Sequence, residues 1–489
     1  MSNMSAPDQV KLIRGLTLLA AVSIVIGNVI GTGVFLKVRV MTCNVGTPGT
    51  VVAVWVAAGL LSLAGALTYA ELAAMMPRAG GEYVFVREAY GARLGFLYGW
   101  MQIFIAKTGS QASVAVAFAI FLNILTGGAL NTTFFTLNLG GFALPFGYLQ
   151  VVALAAIAIV TIINCAAVVV SGHIATVLTG VKIALVLFVG IGALLFAGGG
   201  DWSHFGMTNA GGACEGVGAG ARAGVAGFGA AMLGALWGYD GWNNLTLVAG
   251  EVKNPQRNIP LALIGGMITI ISLYVFVNIA YFYALSPTEV ANVPAASSVA
   301  SEVARTFLGP FAISLIAAAL LFSSVGTLHT SILTGARVPY AMARDGLFFQ
   351  NLARLSPKTH VPIGALVLQG FWAGLLALSG SFDTLTDYVI FGSWIFYGLT
   401  TASVFIFRRR LPNAERPYRA WGYPVVPILF LLVTGWLLVN TLLTTPVQAL
   451  VGLALILLGL PVYWYWARHN NRVAAQDASG FGDENPRGR

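Results

Sequence analysis

The chain has 489 residues, 57% of them hydrophobic and only 9% charged, with a mean hydropathy of +0.82. Soluble domains carry roughly 25% charged residues, so this composition excludes a water-soluble protein and predicts an all-α membrane protein. The net charge of +9 calls for no nucleic-acid partner once the basic residues are placed on the chain.

Predominantly apolar runs of about 20 residues, the length that crosses a bilayer as helix, occur at 16–36, 51–75, 93–125, 149–170, 173–197, 223–250, 259–284, 308–338, 361–380, 384–407, 423–443 and 446–467. These predict twelve transmembrane helices. The gaps at 126–148, 198–222, 285–307 and 339–360 read as loops or short surface helices, and the polar tail 468–489 as disordered. No small-residue cleavage site follows the first run, which therefore reads as a retained helix. With both termini cytoplasmic, 20 of the 26 lysines and arginines fall on that side, as the positive-inside rule requires. Only Lys37, Arg39, Arg222 and Arg305 fall outside, while Lys107 and Lys182 lie within helices.

Several chemistries are struck out. None of the six lysines follows a glycine, so the phosphate-cradling GxxxxGK[ST] loop of ATP-driven pumps is missing. The five histidines (173, 204, 329, 360 and 469) are too scattered for a zinc motif, and no metal or cofactor site is visible. The three cysteines, Cys43, Cys165 and Cys214, show no ligand spacing. Cys43 and Cys214 both face outward in this topology and could pair, although unpaired thiols are the default reading.

The first run contains GNVIGTGVF, with glycines at 27, 31 and 33. In hydrocarbon a helix is interrupted only where protein, ligand or a water-filled cavity replaces the lost backbone bonds. Glycine costs about 1 kcal/mol relative to alanine in a helix interior and permits positive φ, so these three residues suggest an unwound segment. The alternative is close helix packing, since Gly27 and Gly31 have the small-xxx-small spacing. The sixth run, LWGYDGWNNLTLVAGEVKNPQRNIP, places Gly238, Asp240, Gly241 and Asn243 where an unbroken helix would be apolar. Paired interruptions in the two halves of a chain point to a binding site between inverted repeats.

GNVIGTGVF, YDGWN with EVKNPQRNIP, TGVKIALVLF and ERPYRAWGYPVVP together resemble the amino acid–polyamine–organocation superfamily, specifically bacterial relatives of the L-type amino-acid transporters. The similarity covers roughly residues 12–467. It implies a LeuT-type five-plus-five inverted repeat with helices 1 and 6 broken, the first repeat within 1–200, the second within 223–410, and two further helices within 420–467. It also implies sodium-independent amino-acid movement, often by exchange.

The resemblance gives the site residues roles that suit the physics of helix ends. Amides around Ile30, Gly31, Thr32 and Gly33 would hold a substrate carboxylate, and the carbonyls of Val29, Trp237 and Asp240 its ammonium. Trp237 matches an aromatic gate over the substrate, the alternative being an ordinary packing ring. Lys182, about ten residues into its helix and so roughly 15 Å deep, matches a lysine that replaces the sodium ion of related transporters. It would bond first-helix carbonyls near Gly27 and the hydroxyl of Ser323 or Ser324. Snorkelling and proton coupling are the competing accounts of this residue.

Lys107 reads as structural or as facing the cytoplasmic vestibule. Asp240 either selects cationic substrates or binds a proton, or else bonds the nearby backbone of the break. Asn243 contacts substrate or stabilises the break, Ser393 lines the pocket, and His329 stands where relatives carry asparagine. Glu71, Arg78, Glu82, Arg87, Glu88, Arg337, Arg344 and Asp345 read as a solvated cytoplasmic face with gate elements among them. The loop 126–148 lacks the cysteine through which eukaryotic members attach a glycoprotein subunit, so no disulfide-linked heavy subunit is expected. The leading reading is an exchanger or facilitator of neutral amino acids in the cytoplasmic membrane. The alternatives are a proton-coupled symporter, a permease for cationic amino acids or polyamines and, from another class, an amino-acid-gated receptor or channel.

Overall fold

The computed structural model describes residues 10–139, 142–294, 297–379, 382–444 and 446–468. The chain begins with an interrupted helix, α1 (Leu18–Val29) and α2 (Gly33–Val45), then α3 (Pro48–Met75) and the short α4 (Glu82–Tyr90). Next, α5 (Ala92–Met101) passes through a π-helical turn, Gln102–Ala106, into α6 (Lys107–Leu125). Strands β1 (Thr133–Leu139) and β2 (Phe142–Gly147) precede α7 (Tyr148–Asn164) and α8 (Val168–Phe196). A second interrupted helix comes next, α9 (Gly224–Gly238) with the 3-10 segment Trp242–Glu251, and then α10 (Pro255–Ala284). The remainder is α11 (Pro287–Asn292), α12 (Val299–Leu308), α13 (Phe311–Gly335), α14 (Arg337–Arg344), α15 (Ile363–Ser379), α16 (Phe382–Arg410), α17 (Val425–Thr444) and α18 (Pro446–Leu457).

Among the described residues, eight helical stretches are long and apolar enough to cross a membrane, and Tyr148–Asn164 and Ile363–Leu378 are shorter apolar helices. Polarity is inverted relative to a water-soluble fold. Leu195, Leu432 and Leu443 stand exposed, whereas Lys182, Glu251 and Arg337 are buried. That is the arrangement expected when hydrocarbon is the solvent and polar groups must find partners inside. α1 sits at the centre, packed on α8, α10 and α13, while α2 packs along α9.

Three features depart from the sequence reading. The gap 126–148 holds an antiparallel hairpin, with Phe135 opposite Phe146 and Leu137 opposite Leu144. Aromatic and β-branched residues favour this pairing, but an already apolar sequence masks their alternation. The default of free thiols is also overturned, because Cys43 and Cys214 form a disulfide. The end of α2 lies against the loop 198–222, where Arg39 donates to the Glu215 carbonyl at 2.7 Å and Asn44 to the Ala221 carbonyl at 2.5 Å. These contacts join α2, the second half of the first broken helix, to the loop that leads into α9.

The charged set is likewise not one solvated face. Arg78 and Glu88 are exposed, but Glu71, Glu82, Glu251 and Arg337 are buried. Arg337 makes a two-pronged ion pair with Glu251, at 2.7 and 2.8 Å. Glu71 accepts from Arg408 at 3.0 and 2.7 Å and from the Ala420 amide at 2.6 Å. Removing one partner from such a pair strands a buried charge, so these pairs fix how α3, α14, α16 and the 3-10 segment meet.

Candidate functional site

A cavity of about 60 Å³ lies where the two interrupted helices cross. α1 stops at Val29, Ile30 is extended (φ −71°, ψ 90°), and α2 restarts after Thr32 without a side-chain cap. The first amides of α2 are therefore left uncapped beside the cavity, which Gly31, Thr32 and Gly33 line.

On the other side α9 ends at Gly238, and Gly241 takes φ +101° before the 3-10 segment begins. Only glycine adopts that conformation without strain. The breaks touch: a Cβ on Gly33 would lie 2.7 Å from the Cα of Gly238. Backbone thus packs directly on backbone, and the Tyr274 hydroxyl sits at 3.0 Å from both the Val29 and the Gly238 carbonyl oxygens.

Of the residues read as substrate-binding, Val29, Gly31, Thr32, Gly33, Trp237, Asp240 and Ser393 line this cavity. Ile30 and Asn243 do not. The Ile30 carbonyl accepts from Ser323 at 3.5 Å, and the Asn243 amide turns away to donate to Glu82. Successive side chains in a 3-10 helix are about 120° apart, so it is the next residue, Asn244, that lines the cavity and donates to Asn28 at 3.1 Å.

Lys182 is 1% exposed, which overturns the snorkelling account. Its Nζ donates to the Gly27 carbonyl at 2.6 Å and to the Thr327 hydroxyl at 2.6 Å. Thr327 takes the place expected for Ser323 or Ser324 because the contact falls one helical turn further along α13. Ser323 faces Ile30, and Ser324 bonds back to Leu320 at 2.9 Å. Next to Lys182 on α8, Thr179 donates to the Ser23 carbonyl at 2.9 Å, extending the seam between α1 and α8.

Asp240 accepts from the Tyr397 hydroxyl at 2.6 Å, so its carboxylate answers to another helix and not to the backbone of the break alone. Lys37 Nζ stands 5.1 Å from the Trp237 ring centroid, on the side of α2. His329 lies off the cavity and ties three helices together, 3.1 Å from Asn164 Nδ2 and 3.0 Å from the Ser171 carbonyl.

Sequence reasoning passed over Lys107, Tyr274, Thr327 and Tyr397 as parts of the site. Lys107 lines the cavity with Gln102 and Ser110, directly after the π-helical turn. Such a turn inserts a residue and re-aims the side chains beyond it. A conspicuous lysine in mid-helix was the available signal, but the turn that decides its direction leaves no mark in the composition.

An apolar bundle with a small polar cavity at its centre, walled by the loose ends of two broken helices, defines a membrane permease. Residues 16–464 match the amino acid permease family, and the chain belongs to that family. It is 32% identical to the serine/threonine exchanger SteT of Bacillus subtilis, over 91% of this chain and 95% of the relative. It is 31% identical to the rabbit large neutral amino acids transporter small subunit 2 over 94% and 82% of the two chains. Identity to the mouse b(0,+)-type amino acid transporter 1 is 28% over 91% and 86%.

Proposed function

We propose that this protein is a sodium-independent secondary transporter that exchanges neutral L-amino acids across the cytoplasmic membrane by alternating access. In this reading it has twelve spans, a five-plus-five inverted repeat with helices 1 and 6 broken, and both termini inside. The substrate carboxylate rests on the uncapped amides of Gly31, Thr32 and Gly33. Helix N-termini bind anions through exposed N–H groups and the local dipole. The ammonium is met by the carbonyls of Val29, Trp237 and Asp240. A carbonyl has two lone pairs, so Val29 can accept from substrate while holding Tyr274. Trp237 closes over the ligand from outside, and the disulfide between Cys43 and Cys214 makes the outer half-helices move together.

The observation that carries this reading is the Lys182 ammonium bonded to Gly27 and Thr327 at 2.6 Å each. A covalently fixed cation joins α1 to α13, so no imported ion is required to hold them. Neutral substrates suit a cavity in which Lys107 and Asp240 oppose one another, and two of the relatives are named for serine/threonine and for large neutral amino acids. In this reading the chain acts without a disulfide-linked subunit, because the loop 126–148 holds no cysteine to carry one.

The position of Asp240 on the cavity wall favours a second reading, transport of cationic amino acids or proton symport. The experiment is uptake of a labelled amino-acid panel by proteoliposomes, with and without internal amino acid and with and without a pH gradient. Exchange that needs internal substrate, with no accumulation driven by the gradient, is the expected result; accumulation in empty vesicles under the gradient would establish proton symport instead.

A further inference from the structure

Glu82 begins α4, between the spanning helices α3 and α5, yet its side chain is 0% exposed. Burying a carboxylate is costly unless donors or a counter-charge surround it. Here the Asn243 amide donates to Oε1, while Oε2 has no hydrogen-bond partner. Asn243 in turn accepts from the Tyr397 hydroxyl at 3.5 Å, and that hydroxyl donates to Asp240 at 2.6 Å. Polar groups therefore run unbroken from Glu82 to the wall of the substrate cavity, along the inner face of the second broken helix.

The groups facing Glu82 can be named element by element. Tyr69 comes from α3, Tyr98 from α5, Lys107 from α6, Asp240 from the break and Tyr397 from α16. Arg337 of α14 is held by Glu251. On α4 itself, Arg87 pairs with Glu88 and with Asp345 toward the surface. The enclosed cluster thus contains two carboxylates and one ammonium, and with every group ionised it would carry an uncompensated buried negative charge.

We propose that Glu82 is a proton-binding site of the gate below the cavity: it holds a proton while the 3-10 segment is packed against it and releases that proton when the gate opens. The step breaks the carboxyl O–H bond, leaves the electron pair on the carboxylate and passes the proton to entering water, with no redox change. Burial pushes the Glu82 carboxyl up to about 7, opposed by the Asn243 bond, the Lys107 ammonium and the Tyr98 hydroxyl and aided by the charge of Asp240. In the opened gate water restores the ordinary value of about 4.3. The raised value belongs to the closed state, so protonation stabilises closure. That stabilisation is full below the ordinary carboxylate value and is lost as pH rises through about 7.

This inference rests on the transport reading above, and the test separates the two. Wild-type protein in proteoliposomes is assayed for L-serine and L-leucine exchange as a function of pH, beside Glu82→Gln, Glu82→Asp and Lys107→Met. The wild-type rate is expected to rise severalfold across a midpoint near 7. Glu82→Gln gives a flat profile, Glu82→Asp keeps a titration, and Lys107→Met moves the midpoint to higher pH, because the ammonium that stabilises the ionised form is gone. In parallel, the infrared band of a buried protonated carboxylic acid is followed in detergent, where no transport is needed. It should titrate near 7 in wild type, shift in Glu82→Asp and vanish in Glu82→Gln. Exchange with the same pH profile in Glu82→Gln as in wild type, or an infrared band unchanged by that substitution, overturns the proposal. Absence of amino-acid movement at every pH with the infrared titration intact overturns the transport reading alone.

Discussion

The two broken helices turn different chemistry toward one cavity. The first break, from Val29 to Gly33, carries no charged residue, and what it turns to the cavity is mostly main chain. The second, from Gly238 to Trp242, brings Asp240 to the cavity and, one residue beyond the turn, Asn243 toward Glu82. Every α-amino acid shares the ammonium and the carboxylate, so a backbone cradle serves them all. Side-chain selection and response to pH need groups that differ in charge. The neutral break is thereby suited to grip and the charged break to discrimination and gating, and substitutions in the two should fail in different ways.

The largest effect is expected from Lys182→Met, which keeps length and removes the charge that secures the first break. Hydrogen bonds to charged groups contribute about 1.5–3 kcal/mol each, and two are lost, so exchange should fall by a hundredfold or more. Folding, checked by monodispersity in detergent, should survive. Exchange at close to the wild-type rate in Lys182→Met would detach this lysine from the first break. Next comes Gly33→Ala, whose methyl meets Gly238 at 2.7 Å, against Gly31→Ala, whose nearest neighbour is at 3.5 Å. The former is expected to cost roughly tenfold to a hundredfold in substrate affinity and the latter a few-fold at most, a cost of a few kcal/mol for overpacking being typical. Equal losses would show that substrate contact, and not helix crossing, governs both glycines.

Separating the two outer half-helices should be milder for transport. Cys43→Ser with Cys214→Ser is expected to lower the melting temperature by several degrees, in keeping with about 2–4 kcal/mol for a disulfide, while exchange stays within a few-fold of wild type. The smallest effect belongs to Lys37→Met. Lys37 and Trp237 are both half-buried, and a cation–π contact that keeps access to solvent is worth about 0.5–1 kcal/mol, so substrate release should quicken by only about two- to fivefold, measured as efflux into saturating external amino acid.

Much of this was legible in the sequence because hydrocarbon imposes strict rules. Apolar runs located the helices, and the glycines of GNVIGTGVF and LWGYDGWNN located both breaks. What escaped was set by helical phase and by contacts distant along the chain. Thr327 replaced Ser323 as the partner of Lys182 because of a single turn of α13. Asn243 turns to Glu82 and leaves the cavity wall to Asn244, a difference in phase between neighbours that the sequence does not show. Lys107 faces the cavity because a π turn precedes it. Glu82 lies in a stretch dense with charge, where nothing local distinguishes a buried carboxylate from a solvated one, and the partner that holds Glu71, Arg408, is 337 positions away. The join between Cys43 and Cys214 spans 171 positions.

The contact between Gly33 and Gly238 also bears on how such chains diverge. Two positions far apart in the gene share one steric allowance, so neither can acquire a side chain while the other half-helix keeps its course. Across related sequences they should behave as a single inherited character. A lineage that changes one should show a compensating shift in the crossing of α2 and α9, and with it a differently shaped cavity.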